Sequence, residues 1–213
     1  MSKETQQPSA VSDWISEKIA DAHPNVHQLI RTRWSPRAFS DRPVSDEDLK
    51  VILDAARWAP SSFNEQPWRF VVARKSDGPD YDRILSLLVP GNQAWAKNAP
   101  VLMITAAKRT FSHDGSPNFH GAHDAGAAWA FLALQATALG LEVHGMAGFD
   151  RERARQELGV PDDYEVLTAI ALGYRGSPED LPDGLRKREV AKRQRKALGE
   201  VVFEGEWGKG LFG

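Results

Sequence analysis

The run from His120 to Leu139, HGAHDAGAAWAFLALQATAL, constrains the fold more than any other part of the chain. It is alanine-rich and nearly all apolar. As a helix it has no broad polar face to offer water, so it must be buried on every side. Gly140 supplies the C-cap. A chain of 213 residues covers such a helix most simply by placing it at the centre of a dimer.

The rest of the composition fits one soluble globular domain, with or without an arm: 41% of residues are hydrophobic and 26% charged. Seven tryptophans are many for this length; some can line a flat aromatic site, although burial is their commoner fate. With no cysteine there are no disulfides, thiolate metal sites or catalytic thiols. A net charge of -2 argues against a protein devoted to nucleic acid. The opening MSKETQQPSA lacks the basic-then-apolar layout of a secretory signal. No apolar run is read as the roughly 20-residue span that a bilayer requires. The expected location is the cytoplasm.

Residues 1–10 read as a disordered lead-in. Val11, Trp14, Ile15 and Ile19 have helical spacing within residues 11–22, and a second helix is expected over 25–31. Ser45 caps a clear helix, with Asp48 three residues on and Leu49, Ile52, Leu53 and Ala56 on its apolar face. It stops before Pro60. Strands are expected at 68–73, 100–107, 143–146 and 165–174. Helices are expected over 80–89, broken by Pro90-Gly91, and over 151–158, capped by Asp150. Residues 92–98 read as a short turn or helix, and 109–119 and 176–185 as loops. Val201-Val202-Phe203 reads as a late strand with no local mate. The uneven connections favour an α+β three-layer sandwich over a regular doubly wound sheet.

Three polar clusters carry candidate chemistry. Arg33-Trp34-Ser35-Pro36-Arg37 offers arginine forks and a hydroxyl, which suit a phosphate monoester; the alternative is a solvated loop. Ser61, Ser62, Asn64 and Gln66, bracketed by Pro60 and Pro67, suit the edge of a heteroaromatic ring, unless they bond to their own backbone. The run R-K-R-E-V-A-K-R-Q-R-K at 186–196 can serve nucleic acid, a bound phosphate or a solvated helix face. It lacks interleaved aromatics for base stacking. Gly145-Met146-Ala147-Gly148 allows close backbone approach and leaves N–H groups available, as a plain strand-to-helix turn also does. His120 and His123 are three apart but have no third ligand, so no metal is expected. No G-x-G-x-x-G follows a strand.

Taken together, R-x-S-P-R-A-F (33–39), A-P-S-S-F-N-E-Q-P-W (59–68), N-A-P-V (98–101), G-L-E-V-H-G-M-A-G-F-D (140–150) and the basic C-terminal stretch resemble the nitroreductase family of FMN-dependent oxidoreductases. The segments occur in family order and cover nearly the whole chain from residue 25. The P-S-S-x-N-x-Q-P-W match is the most specific of them.

The resemblance implies a nitroreductase-like α-β-α sandwich with a mixed, mainly antiparallel sheet, and an obligate homodimer with two FMN sites at the interface. It implies electron transfer from NADH or NADPH to a small-molecule acceptor (a nitroaromatic, quinone or enone) by a ping-pong mechanism. It further implies that Arg33 and Ser35 address the phosphate and ribityl chain, with Trp34 between them, and that Arg37 lies near the pyrimidine edge. Pro60, Ser61, Ser62 and Asn64 come from the partner, and Asn92 contacts the flavin. Gly145, Met146, Ala147 and Gly148 lie along the ring, with a backbone N–H near N5. Arg195, with Arg193 or Lys196, closes on the phosphate. Arg37, Ala147 and Gly148 are the positions nearest the chemistry. Many relatives carry glutamate where this chain has Ala147, which leaves a roomier wall.

The division expected is an N-terminal tail and helix (1–24), an FMN-binding domain (25–199) and an arm on the partner subunit (200–213). Alternative readings are a flavin-dependent dehalogenase, a flavin-fragmenting relative, a non-catalytic flavin-binding protein, or a nucleic-acid binder working through residues 186–196.

Overall fold

The computed structural model describes residues 13–212. Two short helices come first, α1 (Asp13–Ser16) and α2 (Gln28–Thr32). Helix α3 (Asp46–Ala56) follows; Ser45 Oγ accepts from the Asp48 N–H at 3.0 Å, and three acidic residues sit in its first turn, where the helix dipole favours them. Strand β1 (Trp68–Arg74) leads to α4 (Pro79–Leu87) and α5 (Pro90–Ala96), then β2 (Val101–Lys108). The long helix α6 (Gly121–Ala138), β3 (Glu142–Met146), α7 (Arg151–Glu157), β4 (Tyr164–Gly173) and α8 (Asp183–Val190) complete the chain. No described helix is long and apolar enough to cross a membrane.

The sheet order is β1-β2-β4-β3, and every neighbouring pair is antiparallel. Alternation along the strands feeds two cores. Leu102, Ile104, Ala169 and Ala171 join Tyr81, Ile84, Leu87 and Trp95 beneath α4, α5 and α7. Val101, Met103, Ile170 and Leu172 face the other way, onto Leu49 and Ile52 of α3 and Ala128, Leu132 and Ala136 of α6. This is the expected three-layer α+β sandwich.

Several expectations are corrected. The sheet is not mixed: among the described strands no pair is parallel. Two helices separate β1 from β2, an even number of passes, which returns the chain in the opposite sense. Helix α7 is only about 10 Å long, too short to carry a parallel crossover. Pro90 opens α5 as well as ending the helix before it, because its fixed φ and missing N–H suit a first helical position. The helix expected over 11–22 is, in its described part, the single turn α1; residues 1–12 lie outside the described residues, as does the disordered lead-in expected at 1–10. The helix expected at 25–31 begins later, at Gln28, where His27 Nδ1 accepts the Leu29 N–H at 3.2 Å. The loop expected at 176–185 contains a 3-10 turn, Pro178–Asp180, and the start of α8. The late strand at 201–203 does not join the sheet. Phe203 bridges Gly210, because Gly205 and Gly208 at φ 75 and 91 turn the segment back on itself.

Helix α6 is packed on one side only within the single chain. Ala125, Ala128, Leu132, Ala133 and Ala136 are buried, while Ala122, Gly126, Phe131 and Ala138 are exposed. Leu132 lies wholly buried where α6 meets the sheet. Leu132→Ala is expected to lower the unfolding free energy by about 2–5 kcal/mol through lost burial and a cavity. Denaturant unfolding followed by circular dichroism measures it, and a loss under about 1 kcal/mol would contradict this packing.

Candidate functional site

The loop after α2 is built from two directions. Trp34 is 6% exposed, with its ring between the Lys18 amine at 4.7 Å, the Trp14 ring at 5.9 Å and the Arg175 guanidinium at 5.8 Å. Its ring is therefore part of the packing, and its indole N–H is buried without a partner among the described residues. Arg33 Nη1 donates to Ser35 Oγ at 3.4 Å, so these two polar ends sit together. His144, on β3, reaches the Pro36 carbonyl through Nδ1 at 2.7 Å and packs against Trp95 with centroids 4.6 Å apart. The carboxylate of Glu189, at the end of α8, is wholly buried and accepts from the N–H groups of Arg37 and Ala38 at 2.9–3.1 Å.

The basic run at 186–196 is not one solvated helix face. Helix α8 stops at Val190, and the following residues are extended beside the N-terminal segment. Arg193 Nη1 donates to the carbonyls of Lys18 and Arg31 at 2.8 and 2.9 Å. Arg195 donates only to its neighbour, the Gln194 carbonyl, and is exposed. Burial, and then the charge of Arg195, depress the Arg33 guanidinium pKa; burial, and then Arg33 and Arg195, do the same to Arg193. Three guanidiniums thus lie within electrostatic reach of one another, a grouping of the kind that suits a phosphate. Arg193 Nη1 is committed to backbone carbonyls, whereas the side chains of Arg33 and Arg195 bond only to close neighbours in sequence, Ser35 and Gln194.

At the other end of the site, Gly145 and Met146 finish β3, and Ala147 and Gly148 follow. Among the described residues neither the Ala147 nor the Gly148 N–H has an acceptor. A Cβ on Gly148 would stand 2.8 Å from Asn92 Nδ2 and 2.9 Å from Val89 Cγ2, so a larger residue there would have to displace the side chains that brace the segment. The Gly148 carbonyl takes the Val89 N–H at 3.1 Å and the Asn92 amide at 3.0 Å. Asn92 thus braces this segment. Beside it opens a cavity of about 430 Å3 bounded by Gly145, Met146, Ala147, Thr105, Thr168 and Trp129. The Trp129 indole N–H is buried without a partner among the described residues. A planar ligand with acceptor atoms fits these unmet donors.

The turn at 61–66 stands elsewhere, at the start of α6. Buried Asp124 accepts the Ser62 N–H at 2.9 Å. Ser61 Oγ accepts the Gln66 N–H at 3.0 Å, and the Gln66 amide donates to the Asn64 carbonyl at 3.0 Å. Ser61 and Gln66 are therefore used within the turn itself, while the Ser62 hydroxyl and the Asn64 amide have no partner among the described residues. Glu65 ties the turn to the 109–119 loop by accepting from the Ser112 N–H at 2.9 Å and hydroxyl at 2.5 Å. Phe63, 81% exposed, meets Phe111 and His113 with ring centroids 5.5 Å apart in each case. The cavity by Ala147 is lined by none of these turn residues.

Glu189, His144, Trp129 and Asp124 are the contributors that sequence reasoning missed. The one available signal was Glu189 standing as a lone acid in a basic run. No described group of three or more His, Asp or Glu residues is placed to hold a metal.

The profile of the nitroreductase family matches residues 30–174. An Archaeoglobus fulgidus protein provisionally named NADH dehydrogenase/NAD(P)H nitroreductase is 34% identical over 160 residues, 73% of this chain and 87% of that protein. A crystal structure described as an oxidoreductase containing FMN is 44% identical, with a TM-score of 0.83 over 88% of this chain and 96% of that one. An FMN-dependent nitroreductase from Clostridium difficile R20291 is 28% identical, with a TM-score of 0.59 over 70% of this chain and 87% of that one.

Burial pushes the His144 imidazole down to about 4, against a partly opposing hydrogen bond to Pro36. The unfolded chain therefore binds the extra proton first as pH falls. Stability is expected to hold above pH 6.5 and to fall by roughly 1.4 kcal/mol per unit between there and about 4 through this group. Unfolding free energies of wild type and His144→Gln across that window check this; parallel slopes would remove His144 as the cause.

Proposed function

The chain belongs to the nitroreductase family, and on that premise we propose that it is an FMN-dependent NAD(P)H oxidoreductase whose site is completed by a second copy of the chain. The observation that carries this reading is the convergence of Arg33, Ser35, Arg193 and Arg195 at one end of the site, with the unpartnered N–H groups of Ala147 and Gly148 at the other. One end suits a phosphate and the other the edge of a polar ring.

FMN would supply the acceptance and delivery of a hydride equivalent. The chain supplies the rest. Arg33, Ser35 and Arg195 hold the phosphate, and Arg193 fixes the segment that carries Arg195. Arg37 would lie toward the pyrimidine edge, where a fixed cation would stabilise negative charge developing on the ring. The N–H of Ala147 or Gly148 donates to the ring, and the Asn92 amide keeps that segment in place. Ala147 leaves a small side chain beside the ring, so donor and acceptor can use one open slot in turn. The acceptors that fit such a slot are flat: nitroaromatics, quinones or enones.

The second copy is proposed to supply Pro60, Ser61, Ser62 and Asn64, with the Ser62 hydroxyl and Asn64 amide as the groups left to reach a ligand. Support comes from α6, whose exposed small and apolar side chains at Ala122, Gly126 and Phe131 are those of a helix awaiting a partner. Residues 200–213 are proposed as an arm on that partner: Trp207 is 92% and Phe212 56% exposed in the single chain.

Purified protein is expected to show a flavin absorbance spectrum or to acquire one with FMN, and to oxidise NADH or NADPH when given an acceptor; a chain that takes up no FMN would refute the reading. Arg33→Ala with Ser35→Ala is expected to weaken FMN binding at least about tenfold, from lost charge-assisted bonds. Equilibrium dialysis measures that. Phe131→Glu is expected to give a monomer by sedimentation and to lose FMN with the interface. A folded monomer retaining FMN would show that one chain holds a complete site.

A further inference from the structure

We propose that Glu189 is a positioning residue that locks the Arg33–Ala38 loop and the Lys192–Lys196 segment into one geometry for the cofactor. This rests on the function proposed above. It assigns a role to the one carboxylate of the basic run.

Glu189 is 0% exposed. Oε2 lies 2.9 Å from the Arg37 nitrogen, and Oε1 lies 3.1 Å from the nitrogens of both Arg37 and Ala38. A buried carboxylate is costly unless it is paired and hydrogen-bonded. Here two backbone N–H groups meet both oxygens, and the Lys18 amine, only 4% exposed, supplies opposite charge nearby. Lys18 donates in turn to the Ala191 carbonyl, two residues beyond Glu189. Arg193 then holds the carbonyls of Lys18 and Arg31. The connection therefore closes a ring: the loop bearing Arg33 and Arg37, the end of α8, the segment bearing Arg195, and the N-terminal residues around Lys18. One buried acid sits where the phosphate-side and ring-side arginines share a loop.

The arrangement is specific to a carboxylate. Both facing groups are donors, and both Glu189 oxygens accept: Oε1 from Arg37 and Ala38, Oε2 from Arg37 at the shortest distance. A glutamine has one acceptor oxygen and an NH2. Its single oxygen can still take the two longer bonds to Arg37 and Ala38, but its NH2 would then face the Arg37 N–H where Oε2 now accepts at 2.9 Å. The negative charge of Glu189 also opposes, at Lys18, the positive charges of Arg193 and Arg37.

The test compares wild type, Glu189→Gln and Glu189→Asp as folded proteins, reading the dissociation constants of FMN and riboflavin and the midpoint potential of the bound flavin. Glu189→Gln is expected to raise the FMN dissociation constant roughly tenfold or more. The potential is expected to become more negative as Arg37 is released from the ring edge. Riboflavin, which has no phosphate, is expected to lose less. Glu189→Asp keeps both accepting oxygens and is expected to recover part of the potential. A merely structural role would change the thermal midpoint and leave the potential and the FMN-to-riboflavin ratio alone; that outcome overturns the proposal. If Glu189→Gln does not fold, Lys18→Met decides: a raised FMN dissociation constant supports the linkage and an unchanged one overturns it. Wild type that takes up no FMN overturns the cofactor reading and this one together. Wild type that binds FMN beside an unaffected Glu189→Gln overturns only the role of Glu189.

Discussion

Like charges do not gather without a counterweight, and the cations of this site are gathered around buried acids. Burial first, and neighbouring positive charge second, lower the proton affinity of Lys18, Arg33 and Arg193. Glu189 meets the loop at its N–H groups. Glu142, on β3, pairs with Arg175 and lends its charge to Arg33. Burial still raises the Glu142 carboxyl above its ordinary range, despite Arg175. That ordering of effects shows how dry this corner of the molecule is. Electrostatic attraction to a bound anion is strongest in such a place, because little water screens it.

The fold makes this corner by bringing distant segments together. Strand β3 lies at the edge of the sheet and carries Glu142 and His144 under the loop at 33–37. Helix α8 returns after β4 to set Glu189 against the same loop, and the N-terminal residues close over both. His144 and Glu189 grip opposite polarities of that loop: one donates to the Pro36 carbonyl, the other accepts from Arg37 and Ala38. A backbone held at both donor and acceptor has little freedom to relax, so its arginines are presented without a large ordering cost on binding.

Local chemistry was legible in the sequence wherever one segment decided its own shape. Ser45 and the spacing of Leu49, Ile52 and Ala56 specify α3, and the run from Val101 to Ala107 specifies a buried strand. What needed two distant segments was not legible. The partners of Glu189 lie 151 and 152 positions away, and nothing in a single sequence couples them. The sense of each strand depended on the number and the length of the helices between strands, as the single short α7 between antiparallel β3 and β4 shows. Val201-Val202-Phe203 has strand-forming side chains, but Gly205 and Gly208 direct it into a local reversal. Arg193 and Arg195 look alike in the run; only the structure separates the one that binds carbonyls from the one that does not.

The turn at 61–66 bears on the proposal that a second chain completes the site. Phe63, Asn64 and Gln66 all have positive φ, at 52, 55 and 51. Such conformations cost of order 1–3 kcal/mol each away from glycine and persist only where the surroundings impose them. Asp124, Ser61 and Glu65 impose them here. Yet the strain leaves Phe63 in water and the Asn64 amide unmet, gains that a single chain never collects. The uncovered face of α6 begins at the same end of the helix, at Ala122. A strained turn beside an unpartnered helix face makes sense if both meet the same second chain, and then the side chains the turn exposes are those it delivers across the interface.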